Sequence, residues 1–159
     1  MNPIRIIIDE NAADALPMRI TVAAIVITFI VVLLASGVSN MLTSVNEKNA
    51  VNEAEKIAMH AEQISLRGEG SRIVLDINVP TGYSIVLGAL SHDQNNWPVN
   101  ANSYHIQTGR RNVIKETGAS FSDELIAGPA VIPEGSHQIV LESIRDPSYN
   151  RLFIAAYTA

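Results

Sequence analysis

The chain has no cysteine among its 159 residues. Disulfides, thiolate metal sites and cysteine nucleophiles are therefore excluded together, and any folded part must be held by its own apolar core. Aromatic residues are few, at 5%. Basic charge is also short. Eleven Lys and Arg against 16 Asp and Glu leave a formal net charge of -5, with Arg110 and Arg111 as the densest basic point. A nucleic-acid partner has no electrostatic support in such a chain. Two local absences are sharper still. No charged residue occurs between residues 20 and 46, and neither proline nor glycine between residues 43 and 66.

The uncharged stretch reads ITVAAIVITFIVVLLASGVSNML over residues 20–42. At 1.5 Å rise per residue, roughly 20 apolar residues cross a hydrocarbon core of about 30 Å. The run exceeds the h-region of a signal peptide, and Asp9, Glu10 and Asp14 stand where a basic n-region would be. A chain this short cannot surround such a helix on every side as a soluble core. The expectation is a transmembrane helix over residues 17–42, with Pro17 in its first turn and Asp14 as its cap. Residues 1–16 are then a leader or a cytoplasmic tail. Arg5 and Arg19 on the N-terminal flank place the N-terminus in the cytoplasm. Ala23, Ala24, Ala35 and Gly37 leave room for another helix to approach, so they are the candidate assembly contacts inside the bilayer.

The stretch without helix breakers continues the helix over residues 43–67. Ala50, Ala54, Ile57, Ala58, Ala61 and Ile64 recur at three- and four-residue steps and form one apolar stripe, with Glu47, Lys48, Glu53, Glu55, Lys56 and Glu62 mostly off it. Gly68 and Gly70 end the helix. Ala50, Ala54, Ala58 and Ala61 let a neighbour come close. That neighbour is the following domain, another subunit, or both.

From residue 70 the pattern becomes that of strands. Residues 71–79, 83–90, 103–107, 112–115, 130–132, 138–144 and 151–157 read as strands, punctuated by Pro80-Thr81-Gly82, Pro133-Glu134-Gly135 and residues 146–150 as turns. Residues 122–125 read as a helical turn. Short strands at this spacing predict an antiparallel β-sandwich over residues 70–159. The fold class is α+β: a long transmembrane-plus-amphipathic helix carrying a β-sandwich head.

Little in the chain points to chemistry. His60, His92, His105 and His137 form no paired motif for zinc, and His60 reads as a solvated helix residue. Ser91-His92-Asp93 contains the residue types of a triad, but a triad needs them brought from separate elements. Asp93, Asn95 and Asn96 lack calcium-loop spacing. The glycines mark turns rather than a phosphate cradle. No catalytic residue, cofactor, metal or small-molecule substrate is assigned. Trp97-Pro98 with Tyr104 is either a plug at one end of the sandwich or a partner contact.

The polar leader MNPIRIIIDENAADA, the segment LPMRITVAAIVITFIVVLLA and the cysteine-free β head together resemble archaeal pilin-like proteins of type IV pilus or Tad-like machineries. The resemblance covers the layout of the whole chain. It implies removal of the leader near Ala15-Leu16, bundling of the hydrophobic helices into a homo-oligomeric filament, and heads on the outer surface. Arg19 then lies at the mature start, within reach of Asp14 or Glu10 of a neighbour if the leader stays. A second reading from the same plan is an accessory single-pass anchor, similar to archaellum stator-like proteins, whose extracellular domain binds a surface-layer or envelope partner. A membrane-tethered enzyme would need Asp, His and Ser converging in one cleft.

Overall fold

The computed structural model describes residues 10–93, 96–108 and 112–159. The chain divides into two units, Met1–Thr43 and Ser44–Ala159. The leader residues 1–9, Asn95, Gly109, Arg110 and Arg111 lie outside the described residues.

Helix α1 spans Glu10–Arg67. It therefore starts seven residues before Pro17, where a first turn was expected. Ala12, Ala13, Ala15 and Leu16 are strong helix formers, and they carry the helix through Pro17 although its nitrogen cannot donate to the carbonyl four residues back. In the first unit, residues 18–43 are all exposed. The helix contains an 18-residue window of mean hydropathy 2.7, none of it buried, and is long and apolar enough to cross a membrane.

In the second unit the helix buries one stripe: Ala50, Ala54, Ile57, Ala58, Ala61 and Ile64 are 0–7% exposed. It stops where the sequence says it should. Gly68 takes φ +96, which a side chain would resist, and its N–H returns to the Ser65 carbonyl at 3.3 Å.

Eight strands follow: β1 Arg72–Val79, β2 Tyr83–Leu87, β3 Ser103–Thr108, β4 Val113–Glu116, β5 Phe121–Ser122, β6 Ala130–Ile132, β7 Gly135–Asp146 and β8 Arg151–Thr158. They form two four-stranded sheets, ordered β1-β7-β8-β5 and β4-β3-β2-β6. All seven expected strand positions are occupied, and β5 is an eighth strand that was not expected. Residues 122–125, read as a helical turn, instead begin inside that strand, which runs parallel to β8 with Phe121 opposite Ile154. The first sheet is therefore mixed rather than wholly antiparallel. Phe121 is fully buried, and burying that ring outweighs the weak local helix signal of residues 122–125.

One core joins the helix stripe to both sheets. Leu75, Ile77, Ile139, Leu141 and Ile154 come from the first sheet, and Ile85, Leu87, Tyr104 and Ile106 from the second. Aliphatic residues dominate it, as the shortage of aromatics requires. Gly88 shows why one position admits no side chain. It holds φ +90, and an added Cβ would sit 2.8 Å from the Phe121 carbonyl oxygen. The β7–β8 hairpin is set by Asp146, whose Oδ1 accepts the Ser148 N–H at 2.6 Å.

Candidate functional site

The first unit offers a surface rather than a pocket. Ile27, Phe29, Leu33 and Leu34 are each 60% exposed or more, an apolar surface that water would not tolerate. Its polar side chains are satisfied within the helix. Thr28 Oγ1 donates to the Ala24 carbonyl at 2.8 Å, and Ser36 Oγ to the Val32 carbonyl at 3.0 Å. Hydroxyls closed in this way can face lipid at little cost.

The expected assembly residues do not all share a face. At about 100° per residue, Ala24 and Ala35 fall within about 20° of each other, joined by Thr21, Thr28 and Ser39 within an arc of roughly 60°. Ala23 and Gly37 lie about 100° or more from Ala24 on the same reckoning. Position 37 opens on empty space, with nothing within 4 Å of an added Cβ. Arg19 is exposed.

The upper alanines have a different fate. Ala50, Ala54, Ala58 and Ala61 are buried against the strands of their own chain, so their small size serves close packing within the head. Polar contacts lock this docking at both sheets. Lys56 Nζ donates to the Asp76 carbonyl of β1 at 2.6 Å. On the other sheet Lys115 of β4 pairs with Glu55. Glu62 Oε1 accepts from Thr117 Oγ1 at 2.6 Å and from the Gly118 N–H at 2.8 Å. β1 and β4 are the outermost strands of their sheets, and Lys56 caps one backbone carbonyl of β1, that of Asp76.

The charges read as a solvated helix face are therefore partly structural. The Thr117 hydroxyl, then the Gly118 N–H, hold the Glu62 carboxyl below its ordinary range. The bond to Glu55 raises Lys115. Burial raises the Tyr104 phenol, and the bond to Glu142 raises that of Tyr157.

Trp97 and Tyr104 do not form a joint patch. Tyr104 is 3% exposed inside the core, because β3 turns it inward beside Ile106. It is unavailable as a surface contact. Trp97 is half-buried, stacks near Phe153 with ring centroids 5.3 Å apart, meets Tyr149 edge-on, and donates from Nε1 to the Phe121 carbonyl at 3.1 Å. Arg151 lies over the Phe153 ring at 5.7 Å.

Ser91, His92 and Asp93 sit together in one turn, where the Asp93 N–H returns to the Leu90 carbonyl. His105 is fully buried, with Nδ1 2.9 Å from the Ala89 carbonyl, and His60 is half-buried rather than solvated. Among the described residues, no group of three or more His, Cys, Asp or Glu is placed to hold a metal ion. The sequence reading missed a polar cleft where the helix meets the β1–β2 turn, lined by Asn46, Asn49, Asn52 and Asn78. Its signal was available, since three asparagines spaced by three residues are unusual inside a helix. No family model, curated protein or solved structure matches this chain.

Proposed function

We propose that this chain is a membrane-anchored structural subunit of pilin-like plan. The apolar part of α1 spans the bilayer once, and a β-sandwich head stands outside the cell. The reading is carried by one observation: every residue from 18 to 43 is exposed, and the helix holds an 18-residue window of mean hydropathy 2.7 with none of it buried. Lipid covers that surface in the membrane, and the same surface of other copies covers it in a filament. Lipid tails are as apolar as these side chains, so association has to gain from close packing. The face containing Ala24, Thr28 and Ala35 supplies it.

The accessory-anchor reading has its own support. The alanine stripe of the upper helix is already buried in the head, which leaves less helix surface for neighbours. The N-terminal mass of the protein from its native membranes separates the two. A start near Leu16 supports the processed, filament-forming subunit. An intact Met1 in the membrane fraction supports the permanent anchor and counts against filament formation.

A further inference from the structure

We propose that the polar cleft at the Ser44 end of the head binds a hydroxyl-rich ligand, a sugar or polyol. The cleft has a volume of about 580 Å³, and helix residues Asn46, Asn49, Asn52 and Glu53 face Asn78 and Ser136 across it. Asparagine is a poor helix former because its amide competes for nearby backbone groups. Three of them at three-residue spacing are unfavourable for the helix. No side-chain hydrogen bond joins Asn46, Asn49 or Asn52 to any described residue. Residues that break a local rule without a structural gain mark functional positions.

The chemistry of the lining selects the ligand class. Each carboxamide offers donors and an acceptor together, which matches a hydroxyl group, itself donor and acceptor. A phosphate would need a free cation, but no Lys or Arg lines the cleft. Lys56, the nearby cation, donates to the Asp76 carbonyl and lies 3.6 Å from Glu53. A calcium ion would need more charge than the single carboxylate of Glu53. Glu53 Oε2 is buried 3.6 Å from Lys56 Nζ, so that carboxylate is held within the protein and the carboxamides remain the partners for a ligand. Ser136 Oγ donates to Asn78 Oδ1 at 3.2 Å, which leaves the Asn78 amide N–H groups for the ligand. Pro80 adds an apolar surface suited to the C–H face of a sugar ring. Asn46 follows the end of the apolar run at Leu42 by four residues, so a glycolipid headgroup and a free glycan are both sources of such a ligand.

The test uses the full chain in detergent micelles and in phosphatidylcholine vesicles with or without a dihexosyl diacylglycerol. Maltose, calcium and inorganic phosphate are the soluble probes, read by saturation transfer to the sugar and by the protein's own amide NMR signals. Maltose should give saturation transfer and shift the side-chain amide signals of Asn46, Asn49 and Asn52. The double variant N49A/N52A should bind about tenfold more weakly through loss of two hydrogen bonds. Its melting temperature should not fall, because alanine is the better helix former. Ser136→Val, on the opposite wall, gives the same loss without touching the helix. Affinity confined to glycolipid vesicles identifies the headgroup as the source, and equal affinity for maltose identifies a free glycan. Absence of sugar binding in every format overturns the proposal, as does unchanged binding in both variants. Calcium or phosphate occupying the cleft in place of sugar overturns the ligand class.

Discussion

The two halves of α1 belong to one helix and do opposite things. Both are long and carry a few alanines among larger side chains. Residues 18–43 are exposed all round, whereas residues 44–67 bury a single stripe ending in Ile57, Ala61 and Ile64. The difference lies in what surrounds the apolar positions. In the upper half Glu47, Glu53, Glu55, Lys56 and Glu62 confine apolarity to one face, and that face finds two sheets in its own chain. In the lower half Ile, Val, Leu and Phe occupy every face, so no partner within 159 residues can cover them. Amphipathicity directs a helix inward to its own domain; uniform apolarity leaves every face in need of cover from outside it.

Matched substitutions in the two regions sharpen that contrast. Phe121→Ala should destabilise the head by about 3–5 kcal/mol, because it empties a fully buried site. Phe29→Ala, at 67% exposure, should leave the melting temperature of the head unchanged in the same calorimetric scan. A similar response to both would break the division into independent regions.

Next in size is a charge in the apolar run. Leu33→Arg should cost about 3–4 kcal/mol of membrane insertion. Fractionation should show the variant lost from membranes while its head keeps a native circular dichroism spectrum. Ala54→Leu should overpack the helix–sheet contact and lower head stability by about 1–3 kcal/mol. Ala24→Leu, the same change in the lower half, should spare the head and reduce contact between copies.

The smallest effect is with pH. The folded-state Glu62 carboxyl is held below its unfolded value, chiefly by Thr117 and then by Gly118. Its contribution is therefore complete above the unfolded pKa of about 4.3 and is lost as pH falls through the folded value. Glu62 is exposed, so the contribution should stay under about 1 kcal/mol. Wild-type head should lose more melting temperature than Glu62→Gln on acidification below that range. Identical acid curves would show that the Thr117 and Gly118 bonds do not couple to folding.

Much of this architecture was legible in the sequence because it rests on local signals. The uncharged run, the three- and four-residue stripe of Ala50 to Ile64 and the turn residues at 80–82 and 146–150 depend only on spacing and composition. What stayed illegible depends on contacts far apart in sequence. β5 exists because Phe121 needs the core and pairs beside Ile154, and nothing in residues 119–125 announces a parallel partner. Tyr104 looked like a surface neighbour of Trp97, yet β3 is buried on both faces from Ser103 to Ile106, and a six-residue polar-looking strand does not announce that both of its faces are covered. The assembly alanines were read as one set. Helical phase divides them, with Ala24 and Ala35 together and Ala23 and Gly37 apart.

The central claim is that the apolar half of α1 meets other copies through one face in the membrane. The absence of native cysteine makes single-cysteine crosslinking across residues 20–42 the most direct measurement, performed on native membranes with the full chain. The account predicts helical periodicity, with efficient disulfide-linked dimers from Ala24→Cys, Thr28→Cys and Ala35→Cys and little from Leu33→Cys or Gly37→Cys. Uniform crosslinking along the helix, or none at any position, would contradict it.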